Sequence, residues 1–193
     1  MRERIMRALS FRKGIYAEVK KDKTFTPTAW LIVILSALLT ALGSNTSLVR
    51  SGRFVQWLLG VLGTTLFTVL GFLLASAAVH VIAKAVFDHH EKLDGLQRAF
   101  ALSRVWMTFT LVGILTVLSP SLSFFTGLVG LAAIALWFFS WVVSVREVFA
   151  MDWLPAIVLA LIGFMVMLAL AVTANTLLGG LGLMSTTLFK LFG

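Results

Sequence analysis

The sequence predicts an all-α fold: a polytopic membrane helical bundle with five transmembrane helices and an N-terminal amphipathic interfacial helix. Three observations predict it. Of 193 residues, 60% are hydrophobic and only 12% are charged, whereas a soluble globule averages about 25% charged. Five long apolar stretches fill the chain from Thr28 to Leu178. Almost every lysine and arginine falls at the breaks between them. A soluble interior of this size cannot hide so much apolar surface, and a bilayer removes the need. The stretches leave no room for a separate soluble domain.

Residues 1–27 form a basic segment in which Ile5, Met6, Leu9, Tyr16 and Val19 recur at roughly helical spacing. This reads as a basic amphipathic helix lying on an anionic leaflet. Thr26 and Pro27 then supply a cap and a first-turn proline for the next helix. Span 1 covers 28–43. It follows a basic region and ends Ala41-Leu42-Gly43, a small-x-small pattern like a signal cleavage site. The basic region before it is long for a signal peptide, so we expect the span to be retained.

A polar turn, Gly43–Ser47, leads to span 2, residues 54–87. As one helix it reaches about 50 Å, well beyond a hydrocarbon core of about 30 Å. It either projects beyond the bilayer at its Lys84 end or bends at Gly60, Gly63 or Gly71. Asp88–Arg98 reads as a charged loop. Span 3 covers 100–118 and stops at Ser119-Pro120, span 4 covers 124–148, and span 5 covers 153–178 with Pro155 in its first turn. Gly60, Gly63, Gly127, Gly130 and the Ala75–Ala78 run read as close helix contacts. Residues 179–193 form a short interfacial tail, too short to cross again.

Orientation follows from charge. With the N-terminus inside, thirteen of the sixteen Lys and Arg fall on inside segments, and only Arg50, Arg53 and Lys190 fall outside. The positive-inside rule then places the N-terminus in the cytoplasm and the C-terminus outside, in a cell membrane. The net charge of +8 is explained by this topology and by anionic headgroups, without nucleic acid as a partner. Cysteine is absent, which removes disulfides, thiolate nucleophiles and thiolate metal sites.

Two sets of residues are candidates for function. Ser76, His80 and Lys84 lie four apart along one face of span 2, and Ser140 and Ser144 lie four apart on span 4. Together they read as a polar stripe or ligand cleft. Arg4, Arg7, Arg12, Lys13, Lys20, Lys21, Lys92, Arg98 and Arg104 read as contacts to anionic lipid on the cytoplasmic side. Asp88-His89-His90-Glu91 reads as a solvated loop, because adjacent histidines chelate one ion poorly and no His-Glu-x-x-His spacing occurs. All eight acids lie at or outside span ends, which argues against an ion-coupled carrier. No nucleophile–base arrangement or phosphate-cradling glycine loop appears, so neither an enzyme nor a cofactor is expected.

The segment Tyr16-Ala-Glu18-Val before Asp22 and Pro27-Thr-Ala29, the long second span, and the run Leu96-Gln-Arg98-Ala-Phe100-Ala-Leu-Ser-Arg104-Val resemble the Yip family (Yip-one domain), in its short prokaryotic form. The resemblance implies five spans, with the N-terminus cytoplasmic and the C-terminus across the membrane. It implies membrane organisation rather than catalysis. Eukaryotic relatives are implicated in vesicle trafficking and bind prenylated Rab-type GTPases. Their Asp-Leu-Tyr-Gly-Pro signature is missing here, so GTPase binding is not carried over. The expected function is a non-enzymatic organiser, adaptor or lipid-interacting scaffold, partnered by membrane lipids, by further copies of itself or by other membrane proteins. The alternative is a small transporter or channel for an anion or lipid headgroup.

Overall fold

A computed structural model describes residues 2–44 and 46–183. The regular structure of the described residues is all helical, with no strand. The N-terminal segment is two short helices, α1 (Arg2–Leu9) and α2 (Ile15–Lys21), followed by a 3-10 turn at Lys23–Phe25. Then come α3 (Thr26–Gly43), α4 (Thr46–Arg50), α5 (Phe54–Phe87) and α6 (Leu93–Ser103). From Arg104 to Val117 the chain continues as a 3-10 helix. A turn at Pro120–Leu122 precedes α7 (Ser123–Phe149), and α8 (Trp153–Gly180) completes the set.

Five segments are long and apolar enough to cross a membrane: Lys23–Gly43, Phe54–Phe87, Leu93–Val117, Pro120–Phe149 and Trp153–Gly180. They close a ring. α3 packs on α5, α5 on α8, α8 on α7, α7 on the 3-10 stretch, and that stretch back on α3. Small residues face the interior, among them Ala29, Ala37, Ala75, Ala83, Ala156 and Ala160, while Leu31, Leu66, Leu74, Leu161 and Leu168 point outward. This suits a lipid solvent: helices bring their backbones close through small residues and leave bulky aliphatics to the acyl chains. Gly163 shows the inward side. A Cβ there would lie 2.8 Å from Val79 and 3.0 Å from Trp141, so only glycine lets α8 meet both.

Several boundaries differ from the sequence reading. α5 runs unbroken from Phe54 to Phe87, so none of its glycines bends it out of helix. The loop expected over 88–98 ends at Lys92, because the residues from Leu93 on form the amphipathic helix α6, which buries Leu96, Ala99 and Phe100. Gly127 and Gly130 have open space around them and make no close helix contact. Gly60 and Gly63 do, against the Leu183 carbonyl and the Leu178 side chain. The outer part of the expected tail, residues 184–193, lies outside the described residues.

A close backbone approach joins the first and third segments. Thr110 Oγ1 donates to Thr40 Oγ1 at 2.9 Å, and Thr116 and Thr46 share a hydrogen bond of 2.6 Å. Between them Gly113 meets Gly43, where a Cβ on either residue would overlap a carbonyl oxygen of the other segment. Both partners carry the same spacing: Thr40-x-x-Gly43-x-x-Thr46 and Thr110-x-x-Gly113-x-x-Thr116. A 3-10 helix has three residues per turn, so it keeps Thr110, Gly113 and Thr116 in one line. An α-helix would rotate them apart.

Candidate functional site

Charge gathers at the end of the bundle where α1 and α2 lie, called here the basic end. α2 is held from both sides. At its N-terminus the Gly14 and Tyr16 N–H groups donate to the two Glu147 carboxylate oxygens at 2.7 and 3.0 Å. At its C-terminus Arg98 donates to the Val19 and Lys20 carbonyls at 3.3 and 2.6 Å, and to Thr26 Oγ1 at 3.1 Å. A carboxylate at the start and a guanidinium at the finish both complement the helix dipole. Ile15, Tyr16 and Val19 are completely buried, and the Tyr16 hydroxyl is hydrogen-bonded to Ser140 of α7. Lys20 Nζ reaches Glu91 at 2.7 Å and the Val148 carbonyl at 2.8 Å.

α1 is tied to α2 by ion pairs and also packs on α6 and the 3-10 stretch, where Ala8 is buried. Arg4 pairs with Asp22 at 2.6 Å and with Glu18 at 3.4 Å, and Arg7 pairs with Glu18 at 2.8 Å. The turn between the two helices is pinned by Phe11, whose ring stacks on Trp106 at 5.5 Å and meets Phe139 edge-on at 5.1 Å. Phe11 adopts φ of 50°, a left-handed conformation unfavourable to a bulky residue. The two ring contacts offset that strain.

The expectation of one amphipathic helix facing lipid is thus corrected in form. The segment is two helices, and the apolar stripe of α2 faces α6 and α7. Of the cations read as lipid contacts, Arg4, Arg7 and Lys20 are in ion pairs. Arg98 and Arg104 are corrected outright: they are 7% and 2% exposed and face the protein. Arg12, Lys13, Lys21 and Lys92 remain on the surface.

The polar stripe on α5 is also divided. Ser76 is buried and returns its hydroxyl to the Phe72 and Leu73 carbonyls of its own helix. His80 and Lys84 instead line an open cleft of about 300 Å³, closed on the other side by His90, Glu91, Lys92, Leu93 and Asp94. His80 Nδ1 is buried with no partner among the described residues. Glu91 is engaged by Lys20, whereas Lys84 and Lys92 form no ion pair there. Ser140 and Ser144 do not reach this cleft. Ser140 serves Tyr16, and the Ser144 hydroxyl is buried without a partner. Among the described residues no three His, Asp or Glu side chains come together as a metal site.

The α1–α2 pairing carries a pH dependence. Hydrogen bonds from Thr24 and then Arg4 hold the Asp22 carboxyl down at about 2, against an ordinary 3.8. A depressed carboxylate contributes stability that is present above its unfolded value and lost as pH falls through its folded value. Protection of the amides of residues 2–9, taken against their intrinsic exchange rates at each pH, is therefore expected to fall as pH drops from 3.8 towards 2. Asp22→Asn should show the faster exchange already at neutral pH. Equal protection in the two proteins would contradict this role.

Five apolar helices closed into a ring and capped by a charged segment at one end define a multi-pass helical membrane protein. The family model of the Yip1 domain matches residues 9–174, and the chain belongs to that family. The matched region takes in α2, four full crossing segments and most of α8. No curated protein and no solved structure matches the chain.

The sequence reading missed Tyr16 and Glu147 as a pair, and it missed Phe11. One signal was available. Tyr16 is the only tyrosine in the chain, and it stands in a segment otherwise rich in lysine and arginine. A tyrosine that is buried needs a hydrogen-bond partner for its hydroxyl, which Ser140 supplies here.

Proposed function

We propose that this protein is a non-enzymatic membrane scaffold whose basic end lies in the cytoplasm and binds anionic phospholipid headgroups. The observation that carries the reading is the cleft beside α5, lined by His80, Lys84 and Lys92, in which neither lysine forms an ion pair among the described residues. A phosphate seated between two lysine ammonium groups accepts hydrogen bonds from both, and each such cation contributes about 1 kcal/mol at an anionic surface. Arg12, Lys13 and Lys21 on the docked N-terminal cap extend the positive surface along the leaflet. The distribution of positive charge supports the orientation, since thirteen of sixteen Lys and Arg belong to segments on that side.

The test is retention of phosphatidylglycerol by the purified protein, read by native mass spectrometry against phosphatidylcholine. The double variant Lys84→Gln, Lys92→Gln is expected to weaken retention by about thirtyfold, from two cations removed at about 1 kcal/mol each. Adding Arg12→Gln, Lys13→Gln and Lys21→Gln should weaken it further. Raising the ionic strength should reduce wild-type retention, because surface charge is screened within about 10 Å at 0.1 M salt. Retention insensitive to both the substitutions and the salt would remove the proposal.

A further inference from the structure

Arg104 is a cation inside the ring that the cleft does not explain. It lies eleven residues beyond the start of α6 at Leu93, about 16 Å along the segment. It stands where α6 passes into the 3-10 stretch, within the crossing segment Leu93–Val117. The residue is 2% exposed. Its guanidinium touches three other crossing helices. Nε donates to Ser36 Oγ of α3 at 3.3 Å, Nη1 to Met167 Sδ of α8 at 3.9 Å, and the cation lies 5.8 Å from the centre of the Trp137 ring on α7.

These partners do not balance it. A guanidinium has five N–H donors and stays charged at any accessible pH. Here it is offered one hydroxyl oxygen and one thioether, a weak acceptor. No acid forms an ion pair with it among the described residues. The imbalance continues one and two turns along α7 from Trp137, where the Trp141 indole N–H and the Ser144 hydroxyl are buried without partners. Trp141 is 2% exposed and Ser144 0%. The interior therefore holds a fixed positive charge and spare donors, with no matching acceptor. A buried charge left uncompensated in hydrocarbon is costly. Intramembrane ionisable residues facing a bundle interior mark ion or substrate sites by default.

We propose that Arg104 is the centre of an intramembrane anion site that takes a small monovalent anion such as chloride. Ser36, Trp137 and Met167 all crowd the guanidinium, which favours an ion of about water's size over a lipid phosphate trailing its glycerol. The anion accepts from the free guanidinium N–H groups. Trp137 and Met167 supply polarisable, water-excluding walls.

The experiment measures radiolabelled chloride bound at equilibrium to the full chain in nanodiscs of phosphatidylcholine, with gluconate as the balancing anion. Chloride held by the cleft at Lys84 is separated by measuring Lys84→Gln, Lys92→Gln in parallel, which should leave the Arg104 site intact. About one chloride per chain is expected for the wild type, with at least a tenfold loss of affinity in Arg104→Gln and weaker but measurable binding in Arg104→Lys. Should Arg104→Gln fail to fold, crystals of the wild type grown in bromide decide the matter. An anomalous peak beside the Arg104 guanidinium supports the site, and a peak elsewhere or none overturns it. Wild-type protein that binds no chloride, or Arg104→Gln that binds it as tightly as wild type, would also overturn it. So would displacement of chloride by phosphatidylglycerol at low salt, which would make the occupant a lipid phosphate.

Discussion

Tyr16→Ala is expected to undock the N-terminal cap. The side chain is fully buried between α2 and the bundle, and its hydroxyl bonds Ser140. Replacing a buried aromatic ring by alanine costs about 3–5 kcal/mol, more than a hundredfold in the open population. Trypsin cleavage after Arg12 and Lys13 should accelerate accordingly, while the ring of crossing helices stays folded. Tyr16→Phe keeps the ring and loses one hydrogen bond, for about 1 kcal/mol. A cleavage rate in Tyr16→Ala equal to that of the wild type would show that the cap is held by other contacts. The same residue reports alkaline release. Burial, and to a lesser degree the Glu147 charge, raises its pKa from 10.0 to about 12 against the opposing effect of Ser140. A raised folded value means the contribution is complete below the unfolded pKa and is lost as pH climbs from 10 to about 12. The shift corresponds to about 2–3 kcal/mol. With one tyrosine in the chain, the ultraviolet absorbance of the phenolate follows this single event. An ionisation midpoint near 10 in the folded protein would refute the burial.

The second large effect is expected at Gly113. A Cβ there would overlap the Gly43 carbonyl oxygen, and the opposing atoms are backbone, which has little freedom to yield. Overpacking of this kind typically costs about 1–3 kcal/mol, and a β-branched side chain in a backbone contact belongs at the upper end. Gly113→Val should lower the melting temperature in detergent and abolish the Thr40–Thr110 and Thr46–Thr116 hydrogen bonds together. Gly127→Val, at a site with nothing within 4 Å, is the matched comparison and should melt near the wild type. If the two variants melt alike, the close contact is not what holds the segments together. Thr110→Ala, which deletes a hydroxyl without adding volume, should cost no more than about 1 kcal/mol.

How much of this was legible in the sequence depends on which solvent each feature answers to. Crossing a hydrocarbon layer demands long apolar runs, so five segments could be read directly, and the second of them carries the same bounds, 54–87, in sequence and structure. Amphipathic faces were harder. Ile15, Tyr16 and Val19 repeat at the same spacing whether they meet acyl chains or another helix, so the pattern could not name the partner. Arg98 and Arg104 were misplaced for a related reason. Charge near a span end is usually at the surface, yet Arg98 binds the carbonyls of α2 and Arg104 turns into the ring. The cleft was half visible: His80 and Lys84 share a helix face, but His90 and Lys92 join them only because α6 begins at Leu93. The matched Thr-x-x-Gly-x-x-Thr spacings were present in the sequence, but Thr40 and Gly43 carry the same spacing on an α-helix, so it did not announce the 3-10 stretch.

Residues Arg104–Val117 hold one further consequence, for reach. Each 3-10 residue advances about 2.0 Å where an α residue advances 1.5 Å, so these fourteen residues extend about 7 Å farther than the same run coiled as α-helix. The threonine and glycine contacts to α3 act as a ratchet that keeps the strut at full stretch. Rewinding it would draw the Ser119-Pro120 corner inward by more than a helical turn, which couples the pitch of one strut to the thickness of membrane that the molecule fits.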